Sequence, residues 1–286
     1  MKTSVSSYSY LKYMRSTGAD LFKICDLAKK TGFDGIEFTR LNEDGHSFDE
    51  TRKFASELKS HCDEIGLPIV AYAVGANFLC QDPSAEAEKI KRDADIAASL
   101  SAPVMRHDVC YSLPKKHLYS YRDAAKDMAP YIRDVADYAM KIGVKTCTEN
   151  HGYIFQSPER VELLMLTVNH PSYGWLCDIG NFLCADADPV KAVTVAKDYV
   201  FHAHVKDFLF KDGSVARPSG FFGTSGGNHI RGTILGHGTV PVRNCLSILK
   251  NSGYDGYVSL EFEGPEDNLE AISASYGFLK KTLSEI

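Results

Sequence analysis

The chain has 286 residues, a formal net charge of −5 and a pI of about 6.1, so it lacks the overall basic footprint of a nucleic-acid binder. Apolar residues make up 44% and charged residues 24%, the balance of a folded globular protein, which excludes a disordered chain. No apolar run nears the roughly 20 residues of a membrane span, and the N-terminal stretch MKTSVSSYSYLKYM has no apolar signal core.

Short apolar runs at 3–8, 34–38, 68–74, 103–107, 144–149, 173–178, 200–205 and 256–262 read as strands. Amphipathic stretches near 19–31, 50–65, 83–100, 119–142, 157–169, 188–197, 241–252 and 267–284 read as helices. Gly32, Gly66, Gly143 and Gly253 each follow a helical run, as C-terminal caps do. Strict alternation demands a parallel sheet, because each helix returns the chain to the start of the next strand. Eight such units fit a closed α/β barrel, the (β/α)8 TIM barrel, better than an open doubly wound sheet. The G-x-G-x-x-G fingerprint of dinucleotide binding is also missing after the first strand. No linker or low-complexity segment divides the chain, so residues 1–286 are expected to form one domain.

Two features stand out along the way. The segment from Gly32 to Phe38, GFDGIEF, echoes Gly253-Tyr254-Asp255-Gly256 followed by Ser259-Leu260-Glu261-Phe262, each a helix stop, a tight turn and a strand ending with a carboxylate. The stretch 207–240 breaks the rhythm, being rich in glycine and in aromatic and basic residues. Leaving the seventh strand at the C-terminal rim, where such barrels keep their active sites, it reads as a loop that closes over a substrate.

The cysteines are eight in number and form no C-x-x-C pair. They read as free buried thiols of a reducing cytoplasm, without the spacing of a thiolate zinc site.

Chemistry concentrates at the strand ends. Strand five ends in Glu149, strand six in Asp178, strand seven carries His204 and strand eight Glu261, each preceded by apolar strand residues. Four ionisable groups facing the closed end of a dry barrel do not stay charged unless paired or bound to a cation. Three carboxylates and an imidazole around one point suit one divalent ion, Mn²⁺ first, with Zn²⁺, Mg²⁺ or Co²⁺ as alternatives. The competing reading for each acid is a salt bridge to Lys206 or Arg106.

Secondary candidates surround them. His107 ends strand four and is expected to touch substrate or act as an acid, or else to pack at the rim. Lys206 shares the side of His204 and would either neutralise an oxyanion or pair with Glu263 or Asp178. Glu263 shares the face of Glu261. His151 and Asn181 lie in the loops just past Glu149 and Asp178, in reach of a substrate's polar groups. Arg217, His229, Arg231 and His237 lie in the long loop, where they could bind a phosphate or carboxylate, Arg217 first, or else be solvated surface residues. Glu37 and Tyr72 are weaker substrate contacts, and His202 sits deeper than His204, where a structural hydrogen bond is expected. Phe208, Phe210, Phe221 and Phe222 could form an apolar wall against a bound ring, while Trp175 is expected to pack between barrel and helix.

The pieces E-N-H-G at 149–152, D-I-G-N at 178–181, H-V-K-D at 204–207, G-H-G at 236–238 and L-E-F-E at 260–263 come in an order and spacing that spans essentially the whole chain. In these the chain resembles the sugar phosphate isomerase/epimerase family, xylose isomerase-like TIM barrels of the superfamily of AP endonuclease 2, which also holds endonuclease IV, ketose 3-epimerases and inosose dehydratases. The resemblance implies that Glu149, Asp178, His204 and Glu261 hold a single metal. It implies that Glu149 and Glu261 are also catalytic, one removing a proton from a free or phosphorylated sugar, keto-sugar or cyclitol and the other returning it through an enediolate. Expulsion of a neighbouring hydroxyl instead would make the enzyme a lyase or dehydratase. Asp178-x-x-Asn181 departs from the family's D-x-x-H, and Ile230-Arg231-Gly232 lacks the D-x-H of endonuclease IV. That leaves its three-metal cluster incomplete and, with the acidic charge, argues against DNA cleavage. The family's habits also imply a homodimer or homotetramer in the cytoplasm.

Overall fold

The computed structural model describes residues 1–41 and 47–286. Strand β1 (Lys2–Ser6) runs into a 3-10 turn at Ser7–Tyr10 and a short helix α1 (Leu11–Thr17), neither of which stands out in the apolar pattern. There follow α2 (Leu21–Thr31), β2 (Gly35–Thr39), α3 (Phe48–Glu64), β3 (Ile69–Val74), α4 (Pro83–Ser99), β4 (Val104–His107), α5 (Tyr121–Lys141) and β5 (Lys145–Glu149). Next come α6 (Pro158–Val168), β6 (Tyr173–Asp178), a second 3-10 turn (Asn181–Ala185), α7 (Pro189–Ala196) and β7 (Val200–Val205). After the short strands β8 (Asp207–Lys211), β9 (Phe222–Gly223) and β10 (His229–Thr233), the chain ends with α8 (Val242–Asn251), β11 (Tyr257–Leu260) and α9 (Asn268–Glu285).

Eight strands close into one parallel (β/α)8 TIM barrel in the order β1-β11-β7-β6-β5-β4-β3-β2. The local chemistry explains the punctuation. Ser47 with Glu50 and Ser120 with Asp123 form reciprocal boxes that satisfy the first amides of α3 and α5. The four glycines read as helix stops all adopt positive φ, from 65° to 107°. The two echoing segments meet in space, since β2 and β11 pair with β1 on its two sides.

Wall strands face a filled interior on one side and helices on the other, so β3 is buried along its whole length. The larger core lies between wall and helices. Inside the barrel, Val70, Ala71, Val104, Cys147 and Leu176 make a small apolar plug. Glu149 and Asp178 stand two residues further along β5 and β6, with His204 beside them on β7, so the plug is the dry floor of the site.

The stretch 207–240 is not a plain loop. It carries an antiparallel three-stranded sheet in the order β8-β10-β9. Asp207 fastens both of its ends: Oδ1 accepts from the amides of Phe208 (2.9 Å) and Val240 (3.0 Å), and Oδ2 from those of Gly236 and Gly238 (both 2.9 Å). A side chain at Gly238 would collide with the Asp207 carboxylate, which is why glycine stands there.

All eight cysteines are free; seven are buried, but Cys80 is exposed. Among the described residues, no helix is long and apolar enough to cross a membrane.

Candidate active site

Glu149, Asp178, His204 and Glu261 converge at the C-terminal mouth, each at most 8% exposed. One ligand-type atom from each lies within 4.8 Å of all the others. Bonds of about 2.0–2.2 Å put donors around a single ion at most about 4.4 Å apart, so the quartet is within a few tenths of an ångström of holding one. Barrel order places β5 and β11 at the two ends of a run of four neighbouring strands, with β6 and β7 between them. Glu149 and Glu261 therefore flank the chamber, and Asp178 and His204 stand between them.

Each member is held so that one atom stays turned to the centre. Asp178 Oδ1 accepts from the amides of Gly180 (2.8 Å) and Asn181 (3.0 Å) in the turn that follows β6. Glu149 Oε1 accepts from Asn181 Nδ2 at 2.8 Å. Asn150 ties β5 to β6, accepting from the Trp175 indole and the Asp178 amide (both 3.0 Å). His204 Nε2 bonds Glu37 Oε2 at 2.8 Å. Its Nδ1 has no hydrogen-bond partner although buried, and lies 3.9 Å from both Asp178 Oδ2 and Glu261 Oε2. An unsatisfied imidazole nitrogen facing two buried carboxylates is the donor set of a divalent-ion site.

Positive charge at the centre comes from Lys206. Its Nζ contacts Glu261 Oε2 and lies 3.0 Å from Asp178 Oδ2 and 2.8 Å from Glu263 Oε1. Burial would strip its proton, but the surrounding Asp178, Glu261 and Glu263 raise its pKa well above the usual lysine value. Burial likewise opposes ionisation of Glu261, and the Lys206 ammonium overrides it, holding that carboxyl well below the usual range. Lys206 forms the ion pair that the sequence offered, with Asp178 and Glu263 among its partners.

Arg106 carries the opposite wall, a role the sequence showed only as that of a generic salt-bridge partner. It points inward from β4 to Glu149 Oε2 (3.1 Å) and Asp108 Oδ1 (3.3 Å). Asp108 in turn lies 3.4 Å from Nδ1 of His151, which is half-exposed at the mouth. That contact raises the pKa of His151. A cleft of ≈130 Å³ opens above, lined by His151, Tyr153, Asn181, Phe208, Phe222 and Glu263 among others.

Four expected contacts, His107, Arg217, Tyr72 and Glu37, are not brought in. His107 alternates with Arg106 and faces the helices, fully buried between Phe78 and Tyr173, so it does not reach the chamber. Arg217 lies exposed on the excursion. Tyr72 is buried and accepts the Leu41 amide at 3.2 Å. Of the excursion's other residues, Arg231 stacks on Phe221, His229 bonds the Val215 carbonyl and His237 is exposed. Glu37 lies beneath the chamber against two histidines, His202 among them, and is no surface for substrate. Trp175 is fully buried against Phe182.

Residues 25–282 match the model of the xylose isomerase-like TIM barrel family. A curated relative, an inosose dehydratase of Lacticaseibacillus casei, is 22% identical over 142 residues, about half of either protein: 49% of this chain and 48% of the relative. Among solved structures, the IOLI protein with a bound zinc atom superposes with a TM-score of 0.75 at 19% identity, covering 100% of this chain and 99% of that one. D-psicose 3-epimerase in the presence of D-fructose gives 0.74 at 16% identity, with 99% of both chains covered. At such identities the structural likeness is one of fold.

Proposed function

The chain belongs to the xylose isomerase-like TIM barrel family, and from there we propose that it is a metal-dependent isomerase or epimerase of a small sugar, keto-sugar or cyclitol. The observation that carries this is the buried quartet with a free imidazole nitrogen turned into it. Glu149, Asp178, His204 and Glu261 would hold the ion, Mn²⁺ in first place and Zn²⁺, Mg²⁺ or Co²⁺ otherwise. Such an ion, when bound, polarises a carbonyl and the hydroxyl beside it and so acidifies the C–H between them.

The protein's own groups do the rest. Glu149 and Glu261 approach substrate from opposite walls, so one takes the proton from one face and the other delivers it to the opposite face, inverting the carbon. Arg106 and Asn181 fix the orientation of Glu149, and Lys206 holds Glu261. Lys206 also places a fixed positive charge beside the oxygen that becomes negative as the proton leaves. Phe208 and Phe222 offer an apolar wall to the ring, while Asn181 and Glu263 offer hydrogen bonds to hydroxyls. The substrate is a small molecule in this reading, and neither nucleic acid nor membrane takes part.

A second reading is dehydration. His151, at the mouth with Asp108 behind it, is placed to give a proton to a departing hydroxyl, and the relative that matches half of the chain is an inosose dehydratase. Incubating a sugar and cyclitol panel with the Mn²⁺-loaded protein in deuterated water separates the two. An epimer carrying solvent deuterium supports the first reading, and a deoxy-ketone product the second. Protein that holds no metal after soaking in Mn²⁺, or holds it undiminished as His204→Ala, overturns both.

A further inference from the structure

Beneath the quartet lies a second cluster that proton transfer does not use. Glu37 leaves the middle of β2 and crosses the barrel interior to β7. One oxygen, Oε2, lies 2.8 Å from Nε2 of His204 and 3.0 Å from Nε2 of His202. His202 Nε2 is also 2.9 Å from Ser259 Oγ, which is 2.8 Å from Ser4 Oγ. Glu37, His202 and His204 are each at most 2% exposed.

These three residues could be taken for a second metal site. The distances decide otherwise. Two donors on one ion, each about 2.0–2.1 Å away at tetrahedral angles, stand about 3.3 Å apart. Separations of 2.8 and 3.0 Å are shorter than that, and the 2.8 Å contact is a charge-assisted N–H···O bond. Glu37 Oε2 thus accepts from His204 Nε2–H, while His202 Nε2 lies beside the same oxygen and bonds Ser259 Oγ. Burial opposes a charge there, and the N–H of His204 facing Oε2 offsets that cost.

We propose that Glu37 is a positioning residue for the metal: by accepting from Nε2–H of His204 it fixes the ring and leaves Nδ1 as the lone-pair donor facing Asp178 and Glu261. His202, on the other side of the same oxygen, keeps the carboxylate from turning away, and the Ser259–Ser4 pair holds His202. The chain runs from the barrel floor to the ion, and it orients the ligand without touching substrate. This rests on the quartet's being the metal site.

Zinc is the probe, because it is diamagnetic. In the zinc-loaded wild type, long-range ¹H–¹⁵N spectra should show His204 with zinc on Nδ1 and its proton on Nε2. Glu37→Gln presents an amide donor to one histidine and should weaken zinc binding about 10–100-fold by calorimetric titration, with an unchanged far-ultraviolet dichroism spectrum. Zinc on Nε2 of His204, or undiminished affinity in the variant, overturns the role of Glu37 and leaves the metal centre standing. Zinc that binds wild type and His204→Ala alike, or binds neither, overturns the metal centre and this inference with it. The wild-type spectrum decides even if the variant does not fold.

Discussion

The two walls of the chamber solve the same problem with different cations. Glu149 is met by Arg106, a guanidinium that Asp108 also pairs. Glu261 is met by Lys206, an ammonium shared with Asp178 and Glu263. A guanidinium in a two-sided pair is a fixed fork, whereas an ammonium among three carboxylates is a point charge on a flexible stem. The Arg106 wall is permanent structure. The Lys206 wall is centred where the ligand atoms of the quartet converge, so its ammonium and a divalent ion answer the same electrostatic demand.

The strongest way to break this contrast is to remove the carboxylates themselves. Glu149→Gln and Glu261→Gln should each lower turnover by about 10²–10⁴-fold, read as epimer or dehydrated product formed per unit time. Full activity in either variant would strip that wall of its role. Next in size is the exchange of the two cations for an apolar side chain. Arg106→Met and Lys206→Met should each cost about 3–5 kcal/mol in chelator, since each leaves buried carboxylates uncompensated. Adding Mn²⁺ should restore the melting temperature of Lys206→Met and leave that of Arg106→Met low. Equal rescue of both would erase the distinction drawn between the walls.

A smaller effect tests how the Arg106 wall is built. His107, its neighbour on β4, is held neutral by burial, its pKa lowered from 6.5 to about 4. The unfolded chain binds that proton more readily, so this group's contribution to stability is complete above pH 6.5 and is lost as pH falls toward about 4. The span corresponds to about 3 kcal/mol. His107→Gln should flatten chemical denaturation midpoints across that window while leaving KM unchanged, and a raised KM would return the residue to the chamber. On the other wall, Asp207→Asn loses acceptors for two of the four amides that it gathers and should cost about 1–2 kcal/mol. Faster proteolytic cleavage between residues 211 and 235, with the barrel's melting nearly unchanged, would show that the Lys206 wall stands independently of the excursion beyond it.

Much of this was legible in the chain. Alternating strand and helix patterns define the barrel because the wall strands are short and apolar and four of them follow a helix that stops at a glycine, and the quartet can be read because each member stands at or beside the end of its strand. The failures have equally local causes. At β4 both faces are buried, so alternation alone does not tell whether Arg106 or His107 points inward. Glu37 meets His204 only when the barrel closes, and no spacing along the chain encodes that meeting. The turn after β1 is hidden by a Ser-Tyr run whose period suits a strand as well as a helix. In 207–240, glycines mask the alternation that three short strands would otherwise show. Lys206 had two readings open, and only its three oxygen neighbours show the ion pair.

The fastening at Asp207 has a consequence of another kind. One carboxylate gathers the amides on both sides of the excursion, so the two cut ends are already joined before β8, β9 and β10 are added. The segment between them becomes a cassette. A lineage, or an engineer, can shorten it, lengthen it or swap its aromatic tip for another, and the barrel below keeps its register.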